Sequence, residues 1–233
     1  GKREGDSVSV EHEERIIGEI AADKMTVWNP ERTKRLELKK VERKSPTLGA
    51  KPPAGATVLF DGSGTDCFLE GEMNEQKLLE AGATTKPLPD DFVLHLEFTT
   101  PYMPEDRGQK RANSGVYLHD CYELPVLDSF GLEGFDNECG GLYKLRVPDV
   151  NMCQPPLVWQ TYDIDFTAPK FDTQGKKTVG GRATIRHNGV VIHGDVELKF
   201  TPGRKEEGAG PRSLHLQKHG NEVQYRNIWV EEK

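Results

Sequence analysis

Phe92, Leu94, Leu96 and Phe98 fall at every second position of one uninterrupted run. Alternate side chains of an extended chain point to opposite sides, so this run reads as a strand that buries one face. The alternation returns from Trp159 to Phe166: Gln160, Tyr162, Ile164 and Phe166 share one side, Trp159, Thr161 and Asp163 the other. Between residues 182 and 193 two such runs flank Asn188-Gly189. Strand, Asn-Gly, strand is the strongest local hairpin signal, because both turn positions need positive φ. Further short runs at 57–60, 114–118, 122–128, 142–145, 196–200, 212–217 and 222–230 are separated by Gly, Pro and Asn. Residues 73–83 hold helix formers and read as one helical turn or as two short strands. Many short strands with almost no helical periodicity predict an all-β sandwich or barrel, not alternating β and α units.

The chain has 233 residues, enough for one main β-sandwich with something small attached. Charged residues make up 30% and apolar ones 35%, which predicts large wet loops around a core fed by the aromatics of the second half. The formal net charge is −7, and the basic pairs Lys34-Arg35, Lys39-Lys40 and Arg43-Lys44 are broken by Glu37 and Glu42. That pattern reads as a solvated face, so no nucleic-acid partner is expected. No stretch approaches the roughly 20 apolar residues of a membrane-crossing helix, so no membrane span is expected. The opening Gly1-Lys2-Arg3-Glu4-Gly5 carries no signal-like apolar core, which leaves export open. Cys67, Cys121, Cys139 and Cys153 match no tight metal spacing; they could form disulfides, with three possible pairings, or stay as free core thiols.

Residues 1–50 differ from the rest. They are highly charged, with short candidate strands at 8–10, 16–20, 25–28 and 36–41, then a Pro-rich stretch from Ser45 to Gly55 that reads as a linker or a wrapping arm. They are expected to form a small N-terminal β appendage and linker, with the main domain over 51–233.

Within the main domain six motifs occur in a recognisable order: 58–62 (VLFDG), 113–118 (NSGVYL), 122–131 (YELPVLDSFG), 139–143 (CGGLY), 159–163 (WQTYD), and the pair 216–220 (LQKHG) with 225–229 (YRNIW). Together they resemble the 3-keto-disaccharide hydrolase domain family, over residues 56 to 233. The resemblance implies a concanavalin A-like jelly-roll sandwich of two antiparallel sheets and hydrolysis of a glycoside, disaccharide or related glycan, including sugars oxidised at C3. It also implies a carbohydrate ligand and a secreted or periplasmic setting. Pro125 departs from the polar residue usual at that position, and Lys218 from the usual Asp.

Glu123 and Asp128 are the expected catalytic carboxyls. Their odd spacing puts them on opposite faces of a regular strand, and a bulge near Pro125 would restore them to one face. Glycoside hydrolysis commonly uses such a pair. His219 joins them as candidate acid or base, since imidazole can act near neutral pH. Asn113, Tyr117, His119, Tyr143, Trp159, Gln217 and Arg226 are the expected substrate-binding residues, the aromatics as stacking platforms for a sugar face. For Trp159 core packing is the competing reading; for Arg226 it is a structural salt bridge. A 3-keto sugar shifts the chemistry: its carbonyl acidifies the C2 hydrogen, so a base near C2 matters more than an acid–nucleophile pair. No metal site is expected, although the oxygen-rich loop of Asp128, Glu133, Asp136 and Glu138 could hold calcium. A non-catalytic carbohydrate-binding module with the same sandwich is the alternative, as is a purely structural domain.

Overall fold

The computed structural model of the chain describes residues 2–199 and 204–233. The chain divides into two compact units, 1–43 and 44–233. The first is a single antiparallel meander of β1 (Lys2–Glu4), β2 (Ser7–His12), β3 (Arg15–Ala21), β4 (Lys24–Trp28) and β5 (Arg35–Lys39). Val8, Ile20, Met25 and Leu38 stand opposite one another across it and form one apolar row.

The second unit holds β6 (Thr57–Phe60), β7 (Phe68–Glu70), β8 (Leu79–Glu80), β9 (Thr84–Thr85), β10 (Phe92–Thr99), β11 (Ser114–Leu118), β12 (Tyr122–Val126), β13 (Gln160–Thr167), β14 (Lys170–Phe171), β15 (Lys177–Val179), β16 (Arg182–His187), β17 (Val190–Glu197), β18 (His215–Leu216) and β19 (Gln224–Glu232). One sheet runs β17-β16-β13-β10-β19-β6, with β8 added beside β19; the other runs β12-β11-β18-β9-β7. Both are antiparallel, which makes the domain a jelly-roll sandwich. Of the region 73–83 only β8 is a strand, tied by a bridge from Leu79 to Met73, so the extended alternative holds there. Residues 142–145 form no strand, only a bridge from Leu142 to Arg146. The end of the strand expected over 196–200 lies outside the described residues.

The alternation sets the core. Phe92, Leu94, Leu96 and Phe98 of β10 point inward with Tyr162, Ile164 and Phe166 of β13; Phe92 meets Phe166 at 4.9 Å and Phe98 meets Tyr162 at 4.8 Å between ring centroids. The facing sheet contributes Val116, Leu118, Tyr122, Leu124, Val126 and Leu216.

The outward side of β10 carries His95 and Glu97, both buried. A bulge in β19 makes this arrangement. His95 stands opposite Trp229 and Glu97 opposite Arg226, so a spacing of three brings Arg226 and Trp229 to the same side. Asn227 absorbs the irregularity at φ +46, a region Asn tolerates better than most residues. Its amide donates to Glu97 at 2.9 Å and to the Ala50 carbonyl at 3.0 Å.

The segment after Arg43 lies over this polar patch. Thr47 donates to Asp163 at 2.6 Å, the Gly49 amide donates to Glu97 at 2.5 Å, and Ser45 meets Thr161 at 2.6 Å. Pro46 covers Gly189, where any Cβ would stand 2.3 Å from its ring. The expected boundary at residue 50 therefore moves forward to Arg43: residues 44–50 are a strap of the main domain, because their polar groups complete its buried network.

Charge balance holds the strap. His95 pairs with Asp163 at 2.6 Å and lies 3.7 Å from Glu97, which also takes the Arg226 guanidinium at 2.7 Å. Burial works against the imidazolium, but the two carboxylates prevail and raise its pKa. Burial likewise opposes ionised Glu97, yet bonds from His95, Asn227, Gly49 and Arg226 lower its pKa to about 2. The His95 contribution is thus fully present below the ordinary value of 6.5 and is lost as pH rises through the raised one. The Glu97 contribution is present above 4.5 and is lost only as pH falls toward about 2. Hydrogen exchange at the Gly49 amide, corrected for intrinsic rate, is expected to show strongest protection in mild acid and to lose it toward alkaline pH. A His95→Gln variant is expected to flatten that profile.

Candidate active site

The side of β11 and β12 that faces away from the core carries Gly115, Tyr117, Glu123 and Pro125. Their register is regular, Tyr117 opposite Glu123 and Gly115 opposite Pro125. Tyr117 donates its hydroxyl to Glu123 at 2.8 Å, and Gln217 donates its amide to the Tyr117 oxygen at 3.2 Å. Gly115 makes room for the acid: a Cβ there would stand 3.1 Å from Glu123 Oε1 and 3.4 Å from Gln217 Oε1. The glycine of the 113–115 motif thus lets the carboxylate lean across its neighbour strand.

A pocket of about 160 Å³ opens above these groups, lined by Gln109, Asn113, Tyr117, Glu123, Tyr143, Gln217 and His219. Glu123 and Tyr117 are buried at its base; His219 and Gln109 are exposed at its rim. Gln217 Oε1 is buried without a protein partner, an acceptor available to a ligand hydroxyl. Asn113 builds the wall: its amide side chain donates to the Gln109 carbonyl at 2.9 Å, and its backbone N–H donates to Asn221 Oδ1 at 2.7 Å. Tyr143 enters on a loop that closes the free edge of β12. The Tyr143 amide donates to the Glu123 carbonyl at 3.1 Å and the Gly140 amide to the Pro125 carbonyl at 3.2 Å. β12 is the edge strand of its sheet, the one place where Pro125 removes no ladder bond.

Burial raises the Glu123 pKa, against the Tyr117 hydrogen bond and the nearby His219, which both favour the carboxylate. Burial, followed by the Glu123 charge, pushes Tyr117 well above the usual phenol range, so it stays a hydrogen-bond donor. Behind Tyr117, His215 stands opposite it across the β11–β18 pair and bonds Thr84 at 2.9 Å. Burial, then the Arg204 charge, lowers its pKa to about 4, so the ring is neutral.

Six of the expected site residues therefore converge: Glu123, His219, Asn113, Tyr117, Tyr143 and Gln217. Four do not line the pocket. Asp128 lies past the end of β12, with no bulge at Pro125 to turn it toward Glu123; it pairs with Arg111 at 2.7 Å. His119 sits in the β11–β12 turn at φ +56, bonds the Gly210 carbonyl at 3.1 Å and packs on Phe166. Trp159 and Arg226 belong with the other sheet, where the guanidinium lies 3.9 Å over the indole and binds Glu97. Gln109 and His215 were not expected. Gln109 stands in a polar loop without pattern, whereas His215 shares the strand phase of Gln217 and was legible from it. In the acidic loop Glu138 accepts the Phe135 amide, and no cluster of three or more His, Cys, Asp or Glu among the described residues is arranged to hold a metal ion.

A raised carboxyl pKa destabilises the fold as the group ionises: its contribution is full below 4.5 and is lost as pH rises through the raised value. Glu123→Gln keeps an acceptor for Tyr117 and removes that loss. Its melting temperature is expected to match or exceed the parent's at neutral pH, with the gap closing in acid, as thermal unfolding across pH would read.

Comparison with known proteins agrees with this geometry. A protein of Parabacteroides distasonis, provisionally named a glycosyl hydrolase, superimposes with a TM-score of 0.71 at 27% identity, covering 88% of this chain and 97% of that one. A second structure from the same organism, named in the same way, shares the fold at a TM-score of 0.56 and 16% identity, over 77% of this chain and 94% of that one. No curated protein sequence matches significantly. The model of the 3-keto-alpha-glucoside-1,2-lyase-like domain matches residues 55–231, so the chain belongs to that family of glycosyl-hydrolase-like sandwiches.

Proposed function

We propose that the pocket cleaves a 3-keto-glucoside by elimination, with Glu123 as the base that takes the C2 proton. The observation that carries this reading is that Glu123 is the sole carboxyl among the described lining residues. Hydrolysis by a carboxyl pair needs a second acid within about 5–10 Å to act as nucleophile or water-activating base, and Asp128 is held instead by Arg111. A 3-keto sugar needs only one base. Removing the C2 proton places negative charge on the C3 oxygen, and the Gln217 amide, which has a second N–H besides the one given to Tyr117, is a neutral donor for it. Collapse of that enolate expels the C1 oxygen, which takes a proton from His219 at the rim or from water. Addition of water to the resulting double bond completes a net hydrolysis.

The raised pKa of Glu123 suits this role, because a base is most effective when its pKa approaches the working pH. Activity is expected to rise with pH as Glu123 ionises, through a midpoint above the ordinary carboxyl value. The unexposed acid favours turnover over recognition alone, and exported glycan breakdown is the setting we propose.

The test compares a glucoside with its 3-keto form. Turnover of the keto form alone, with solvent deuterium entering C2, is the expected result. Glu123→Gln is expected to lower kcat by about 10²–10⁴, the usual share of a general base. Gly115→Ala should do part of the same damage by displacing the acid. Equal turnover of the unoxidised glucoside, with no C2 exchange, would overturn the elimination. Binding of both sugars with no turnover would make the pocket a recognition site.

A further inference from the structure

We propose that Cys139 and Cys153 are a redox pair that closes a disulfide in an oxidising compartment and so staples the loop that carries Tyr143 into the pocket. Both residues are buried, and each thiol bears on the other's ionisation. They converge on one short stretch of backbone. The Cys153 thiol donates to the Leu127 carbonyl at 3.5 Å, and the Cys139 amide donates to Ser129 Oγ at 3.1 Å. Asn151 fixes the far end of the loop, bonding the Ser129 and Leu132 carbonyls at 2.8 and 2.9 Å and accepting the Cys153 amide at 2.9 Å. Both chain segments are thus held against the same backbone stretch, 127–132, by bonds that do not involve the other cysteine. Cys67 is half-buried beside Val58 and Cys121 lies in the β11–β12 turn, so neither competes for this contact.

The two thiols differ. Burial disfavours both thiolates, but hydrogen bonds from Cys153 and Tyr162 bring Cys139 below the ordinary thiol value, while that same bond and burial push Cys153 well above it. The oxidant is a small-molecule or protein disulfide of the thiol–disulfide exchange class. The Cys153 thiolate, on the slightly less covered of the pair, attacks one sulfur of the oxidant to form a mixed disulfide, and the oxidant's other sulfur leaves as the first thiol. The Cys139 thiolate attacks the Cys153 sulfur, and the oxidant leaves as thiol. The protein loses two thiol hydrogens and gains one S–S bond; the oxidant is reduced to two thiols. The ring that closes spans residues 139–153 and contains the Gly140 and Tyr143 amides that cap β12. It makes no use of the sugar chemistry above.

The folded chain is equilibrated with oxidised or reduced glutathione, then denatured, alkylated and digested with trypsin. In the oxidised sample we expect peptides 112–144 and 147–170 joined, with fragmentation placing the bond at Cys139 rather than Cys121, while Cys67 and Cys121 are alkylated. Reduction should lower the melting temperature, and Cys153→Ala should abolish the difference between the two samples without preventing folding. Alkylation of all four cysteines after oxidation, a bond to Cys67 or Cys121, or an unchanged oxidised-minus-reduced melting difference in Cys153→Ala would each overturn the proposal. If Cys153→Ala fails to fold, the peptide map of the unaltered chain decides alone.

Discussion

A strand has two sides, and in a sandwich one of them is committed to the core. Most of the charged side chains on these strands fall on the other side, where they must meet water, a partner or a ligand. The domain solves this differently on its two sheets. On the sheet of β10, β13 and β19 the outward charges are covered by the strap and satisfied among themselves. On the sheet of β11 and β12 the outward groups stay open at the base of a pocket. The same constraint therefore produces a closed, mutually neutralising network on one side and an acid at the base of a pocket on the other.

The contrast explains why two buried glutamates behave in opposite ways. Glu97 and Glu123 are both almost fully covered. Glu97 collects an imidazole, a guanidinium, an amide side chain and a backbone N–H, and its pKa falls. At Glu123 burial outweighs the Tyr117 hydroxyl and the histidine at the rim, and its pKa rises. One carboxylate is a structural anion; the other is poised to exchange a proton.

Strand phase was legible in the sequence, and with it the all-β class; the jelly-roll and the choice of Tyr117, Glu123 and Gln217 as site residues came from the family resemblance. Period-two alternation is a local signal that the pleat turns directly into a face. Sheet membership was not legible. Trp159 and Arg226 have the look of sugar-binding residues, but which strands share a sheet is decided by long-range pairing that no local pattern encodes. Asp128 was misplaced for a narrower reason: Pro125 suggested a bulge, whereas an edge strand accommodates proline with no irregularity at all. The strap was half legible: the stretch from Ser45 reads as a linker or a wrapping arm, and the buried acceptors beneath Ser45, Thr47 and Gly49 decide for the arm.

The loop that seals β12 has a further consequence for how this protein meets other chains. An uncovered edge strand offers its carbonyls and amides as a template on which a foreign segment can extend the sheet. Here the Glu123 and Pro125 carbonyls are already taken by loop amides, and Pro125 has no N–H to offer. The strand that carries the acid is thus shielded from recruitment by unfolded neighbours. In a crowded, denaturing or glycan-poor environment, the pocket and the barrier to aggregation stand or fall with the same few backbone bonds.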